Sequence, residues 1–214
     1  PEHEAKFCMI STARGEYDFS NVDELVEFAE ENNMTIHGHT LIWHSCSPDW
    51  VENADFDRDE AIEVLREHIT TVVERYKGRI KYWDVVNEAF DGAQLRDTAW
   101  LRMIGPDYIE LAYQFAHEAD PDAILLYNDY GAEPMNAKSN AVYAMAQDFL
   151  ERGIPIHGIG MQSHFDLPSL NTTSIAENVQ RLNDLGLEVQ FTEVDIKYVG
   201  ETTDEILRQQ AREY

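Results

Sequence analysis

Apolar residues recur along this chain with two alternating periods. Five short runs are rich in β-branched and aromatic residues: 34–43 (MTIHGHTLIW), 80–87 (IKYWDVVN), 123–128 (AILLYN), 157–163 (HGIGMQS) and 188–194 (EVQFTEV). Runs of this length and composition predict buried strands. Between them the spacing lengthens to the helical 3.6. Asn21 with Glu24 makes a capping-box pattern before Val22, Leu25, Val26 and Ala29. Asp57 with Glu60 opens a second helix, whose inner face is Ile62, Leu65, Ile69, Val72 and Val73. Pro106 suits a first helical turn before Ile109, Ala112, Tyr113 and Ala116. A helix over 135–152 stops at Gly153, Ser174 with Glu177 opens one that stops at Gly186, and Thr202 with Glu205 opens the last.

One helix followed by five strand–helix units implies an α/β fold with a parallel sheet. An open doubly wound sheet and a barrel both satisfy that order. No GxGxxG follows the first strand, which weakens the dinucleotide-binding version. Polar residues end nearly every strand: His39, Asn87 and Glu88, Asn128 and Asp129, Gln162 and His164, Glu193 and Asp195. A (β/α)8 barrel gathers all such ends around one mouth, whereas an open sheet spreads them along a line. The chain's 214 residues fit one domain, 1–214.

Charge narrows the partners. Asp and Glu number 41 against 16 Lys and Arg, a net −25. No basic footprint for nucleic acid or for an anionic membrane exists, and no apolar run approaches the roughly 20 residues of a membrane span. Only five of the basic residues are lysine, which resembles proteins adapted to concentrated salt, where self-repulsion is screened. The two cysteines, Cys8 and Cys46, form neither a disulfide framework nor a zinc motif. The opening Pro1-Glu2-His3-Glu4 carries no targeting signal and no Met, as expected of a cut within a longer gene.

The candidate chemistry follows from the two-residue period of a strand end, which puts Gln162 with His164, Glu193 with Asp195, and His37 with His39 on common sides. One carboxylate at such a place reads as a cap or an ion-pair partner. Acids at two strand ends, each in an apolar run, read as a reacting pair. Paired carboxylates without a metal suit glycosidic cleavage, which needs a proton on the leaving oxygen and a nucleophile on the opposite face. Trp43, Trp50 and Trp83 lie on or near strand ends and could offer sugar platforms; mid-strand Trp83 reads as core. A metal-dependent hydrolase is the alternative from another class, with His37-Gly38-His39 as ligands. It needs further ligands at later strand ends, where only His164 offers itself. No cofactor is expected.

Six motifs in order resemble glycoside hydrolase family 10, the endo-1,4-β-xylanases, over essentially the whole chain. They are Gly38-His39-Thr40-Leu41-Ile42-Trp43-His44, Pro48-Asp49-Trp50, Trp83-Asp84-Val85-Val86-Asn87-Glu88-Ala89-Phe90, Tyr127-Asn128-Asp129-Tyr130, Gly160-Met161-Gln162-Ser163-His164-Phe165 and Thr192-Glu193-Val194-Asp195-Ile196. The resemblance implies that Glu88 is the general acid/base and Glu193 the nucleophile of a retaining reaction, with carboxyls about 5–5.5 Å apart. It implies that His164 bonds the nucleophile, Asp195 orients His164, and Asn87 contacts the 2-hydroxyl of the sugar being cleaved. His39, Trp43 and Gln162 then line that sugar's subsite, Glu2 and Lys6 hold the next sugar outward, and Tyr130 joins the substrate-binding set. Xylan and xylo-oligosaccharides are the implied partners, with neither nucleic acid nor membrane. A secreted, extracellular protein whose signal peptide lies outside this piece, monomeric when complete, is the matching expectation. Other retaining barrel glycosidases and a non-catalytic xylan binder are the nearer rivals.

The chain departs from the family pattern in three ways. His3 stands where Asn is usual, Phe7 where Trp is usual, and Cys46 where a polar residue is common. The family pattern offers no bridge matching Cys8 and Cys46, so two free thiols are expected. The resemblance covers strands three to seven of the barrel, with the first and last units missing. Ile42 and Phe191, at the two outer strands, are then expected to be more exposed than in a closed barrel.

Overall fold

Five strands pair side by side in parallel: β1 (His37–Trp43), β2 (Tyr82–Asn87), β3 (Ile124–Asp129), β4 (Gly158–Met161) and β5 (Glu188–Phe191). The spatial order runs β5-β4-β3-β2-β1, so each strand lies beside its predecessor. This computed structural model describes residues 2–167, 170–198 and 200–213. Helices separate the strands: α1 (Ser20–Glu31), α2 (Arg58–Arg75), α3 (Tyr108–Ala119), α4 (Ala137–Arg152), α5 (Thr172–Asp184) and α6 (Asp204–Glu213). Each predicted strand is present, with ends displaced by up to three residues; the strand expected over 123–128 runs one residue further, to Asp129.

Helix starts differ more. Asp57 caps α2 as expected, accepting from the Glu60 N–H at 3.0 Å. Asn21, however, lies inside α1, whose N-terminal Ser20 N–H is taken by Asp18. Pro106 precedes α3 by two residues. Asn171, three residues before Ser174, caps α5 and accepts from the Ser174 N–H. Thr203, not Thr202, accepts from the Ile206 N–H at the start of α6. Helix α4 has a reciprocal box between Asn136 and Ser139, and ends at Gly153 in the left-handed conformation, φ 72°.

The core lies between the sheet and its helices. Trp83, Leu125, Tyr127 and Ile159 pack there with Leu65, Ile69 and Tyr113. Gly38 is required by this packing: a Cβ on it would stand 2.3 Å from the Trp83 ring, so the indole lies directly on the β1 backbone. Trp83 is core, as expected; Trp50 packs edge-on against Phe7, 5.8 Å between ring centres. β1 and β5 are the edges of the sheet among the described residues. Phe191 on β5 is 52% exposed, as expected. Ile42 on β1 is not: it is buried, and the short helix Phe7–Ile10 packs against that strand.

That short helix also overturns the expectation of free thiols. Cys8 and Cys46 form a disulfide, their Cα atoms 5.0 Å apart across a separation of 38 residues. Cys8 sits in the Phe7–Ile10 helix and Cys46 in the turn that leaves β1, and the packing of helix on strand brings the two together. Closing a loop of this length contributes about 4 kcal/mol in the chain-entropy picture.

Phe7 stacks on His68, ring centres 3.4 Å apart. The His68 Nε2–H donates to the Leu41 carbonyl at 2.9 Å, and complete burial pushes its pKa from 6.5 to about 3. A histidine held neutral by the fold must take up a proton as the chain unfolds below its ordinary value. This contribution to stability is therefore fully present above about pH 6.5 and is lost as pH drops toward 3, by on the order of 5 kcal/mol in the limit. In H68Q, whose amide can keep the bond to Leu41, this part of the loss is expected to vanish. Melting curves of both proteins from pH 7 to pH 4 check it; parallel pH slopes would refute the assignment.

Candidate active site

The reacting groups stand where the parallel strands end. Simple alternation does not place them, because two bulges interrupt it. Asp84 and Val86 of β2 face the successive residues Leu126 and Tyr127 of β3, and the β1–β2 register shifts between His39 and Ile42. The slip allows Asp84 and Asn87, three positions apart, to line one cleft. Glu88 follows β2 with φ 57°, a left-handed conformation costing roughly 1–3 kcal/mol in a non-glycine residue. Its surroundings hold it there. The Glu88 N–H donates to the Asn128 carbonyl at 2.9 Å, Arg96 Nε donates to the Glu88 carbonyl at 3.2 Å, and the next N–H, of Ala89, donates to the Tyr127 hydroxyl.

A chain of amides joins the two acids. Gln162 Nε2 donates to Glu88 Oε1 at 3.0 Å and to Asn87 Oδ1 at 3.2 Å. Asn87 Nδ2 also reaches Glu88 Oε1, at 3.3 Å. Asn128 Nδ2 donates to Asn87 Oδ1 at 3.0 Å and to Glu193 Oε1 at 2.8 Å. Thr192 Oγ1 donates to Asn128 Oδ1 at 2.7 Å, which fixes the direction of that amide. On its other oxygen, Glu193 meets His164 Nε2 at 3.3 Å, and His164 Nδ1 meets Asp195 at 2.9 Å. All five residues expected to do chemistry, Glu88, Glu193, His164, Asp195 and Asn87, line the same cleft of about 910 Å³.

The expected substrate-binding residues line it too: Glu2, Lys6, His39, Trp43, Gln162 and Tyr130. Lys6 Nζ lies 4.6 Å from the Trp43 ring centre and 3.5 Å from His3 Nδ1. Tyr130 carries the Lys138 ammonium over its ring at 3.8 Å and receives a bond from Arg96 at its hydroxyl. Lys138 itself pairs with Asp129 at 2.6 Å, and burial still pushes the Asp129 carboxyl up to about 6. His37 and His39 each turn a nitrogen to Asp84, at 2.9 and 2.8 Å. Burial alone would raise the Asp84 pKa, but these two bonds outweigh it and hold the carboxyl below its usual range. Among the described residues, no group of three or more His, Cys, Asp or Glu is arranged to hold a metal ion.

The model of the family described as Glycosyl hydrolase family 10 matches residues 1–214. The chain belongs to this family. Endo-1,4-beta-xylanase B of Thermotoga neapolitana is 44% identical over 216 residues, covering all of this chain and 62% of that protein. The chain thus spans somewhat under two thirds of that relative's length. Native xylanase 10B from Thermotoga maritima superposes with a TM-score of 0.96 at 45% identity, over all of this chain and 66% of that one. Xylanase 10B from Thermotoga petrophila RKU-1, solved in complex with xylobiose, gives the same TM-score and identity and is covered to 65%. The five parallel strands and their helices are therefore part of a family 10 (β/α)8 barrel.

Sequence reasoning about this family 10 chain left two cleft-side groups, Asn128 and Asp84, without a role. Asn128 was visible as a strand-end amide, but only the structure shows it bridging Asn87 to Glu193. Asp84 escaped notice because an acid inside an apolar run reads as strand interior, and His37, considered only as a metal ligand, bonds that acid at 2.9 Å. The period-two pair His37 and His39 was the available signal, since two imidazoles on one side call for an acceptor.

Proposed function

We propose that the protein to which this chain belongs hydrolyses internal β-1,4-xylosidic bonds of xylan with retention of configuration. The observation that carries the reading is the pair Glu88 and Glu193, facing one cleft and joined by a shared amide relay. Its family and the xylanases it resembles supply the substrate class. In the first step Glu193 attacks the anomeric carbon, the glycosidic C–O bond breaks, and Glu88 gives its proton to the leaving oxygen. In the second, Glu88 takes a proton from water, whose oxygen displaces Glu193 from the same carbon. Asn128 and His164 hold the attacking carboxylate by an oxygen each, so it meets the sugar already oriented. Lys6 and Glu2 hold the sugar next outward, and Trp43 lines the subsite of the sugar being cleaved. The test is release of reducing ends from xylan by the full-length protein, with the first-formed anomer read by proton NMR. The β-anomer is expected. Xylo-oligosaccharide binding without reducing-end release, or an α-anomer, would overturn the reading.

The charge of −25 supports adaptation to salt. Melting temperature is expected to rise between 0.1 and 3 M KCl as self-repulsion is screened; a flat or falling trend would refute this. The Cys8–Cys46 disulfide supports an extracellular site of action, where such bonds persist.

A further inference from the structure

One buried carboxylate outside the amide relay sits against the peptide that serves both reacting acids. Glu133, in the segment between β3 and α4, is 3% exposed, and its Oε1 accepts the Ser163 N–H at 2.8 Å. Ser163 is completely buried and has φ 66°, a left-handed conformation that a side chain adopts only when its surroundings impose it. The residue before it, Gln162, bonds Glu88; the residue after it, His164, bonds Glu193. The Ser163 carbonyl also accepts from the N–H of Asp195, the residue that orients His164, at 3.2 Å. A rotation of this one peptide would therefore displace contacts to both acids together.

Glu133 is itself anchored. Asn178 of α5, 1% exposed, donates through Nδ2 to the carbonyls of Ala132 and Glu133 at 2.8 and 2.9 Å, and Arg181 Nε donates to Asn178 Oδ1. The helix thus fixes the Glu133 backbone, and the Glu133 carboxylate fixes Ser163.

We propose that Glu133 is a positioning residue for hydrolysis: by holding the Ser163 peptide in its left-handed conformation it sets Gln162 against Glu88 and His164 against Glu193. This rests on the glycosidase reading above. Glu133 acts through Gln162, which bonds Glu88 and lines the subsite of the sugar being cleaved, and through His164, which bonds Glu193, while Lys6 and Glu2 hold the next sugar outward. Its loss should therefore reduce kcat by much more than it raises KM.

The experiment compares the full-length wild type with E133L, E133D and E133Q on an aryl β-xylobioside. Glutamine keeps a carbonyl oxygen at the right reach for the Ser163 N–H, so E133Q should stay within about threefold of wild type. Leucine has no acceptor and aspartate falls short by one methylene; both should lose about 10–100-fold in kcat, with KM within about threefold. E133D keeps the charge and polarity of the site, so it decides the matter should E133L fail to fold. Folded E133D or E133L with wild-type kcat and only a lowered melting temperature would overturn the proposal. So would an E133Q as impaired as E133D. A wild type that does not cleave the substrate would instead remove the glycosidase reading, and this proposal with it.

Discussion

Glu193→Ala is expected to lose xylan hydrolysis by on the order of 10⁴-fold or more, with the fold unchanged. The side chain is part-exposed in the cleft, so its removal leaves no packing defect comparable to a core truncation. What disappears is the atom proposed to attack the sugar. Asn128 Nδ2 and His164 then face an empty position, and water there lacks the preset geometry of a held carboxylate. Added azide gives the sharper result. It can enter from the side Glu193 occupied, form a C–N bond at the anomeric carbon as the C–O bond breaks, and leave Glu88 to protonate the departing oxygen. The product is then the α-glycosyl azide, of inverted configuration. A β-glycosyl azide from this variant would show that Glu193 is not the nucleophile.

Glu88→Ala is expected to behave differently because its role depends on the leaving group. A sugar alkoxide departs only with a proton, so xylan turnover should fall by about 10²–10⁴-fold. A nitrophenolate leaves without help, so the first step on an activated aryl xylobioside should fall far less. The second step still lacks its base, so the glycosyl-enzyme should accumulate and a burst of phenolate should appear. Azide, which needs no base, should speed this step and yield the β-glycosyl azide. The two variants thus give azides of opposite configuration from one cleft. An equal loss on xylan and on the aryl glycoside, with no burst, would assign the acid/base role elsewhere.

Much of this site was legible in the sequence because strand ends concentrate function and because short apolar runs mark strands. Asn87 and Glu88, Gln162 and His164, and Glu193 and Asp195 were all found in that way. The losses have separate physical causes. Asp84 faces the cleft through a bulge, and a bulge changes strand parity without altering the apolar pattern that announces the strand. Caps moved by one to three residues where several side chains of equal capping ability lie together, as with Asn171 and Ser174. The Cys8–Cys46 bond is a contact across 38 residues, set by how a four-residue helix packs on β1, and no local pattern encodes it.

The order β5-β4-β3-β2-β1 also bears on how the chain is made. Every strand joins the free edge left by the one before, and none has to be inserted between two already placed. During synthesis each new strand–helix unit can dock on a finished neighbour, so the sheet grows from one side like courses of brick. The Cys8–Cys46 bond can close as soon as β1 and its following turn have emerged, well before β2. Glu88, by contrast, cannot meet its partners until Asn128 and Gln162 are in place, nor can Glu193 bond Asn128 before β5 is complete. Lys6 and Trp43 are therefore in place early in translation, and Glu88 and Glu193 come to face one cleft only once β5 has formed.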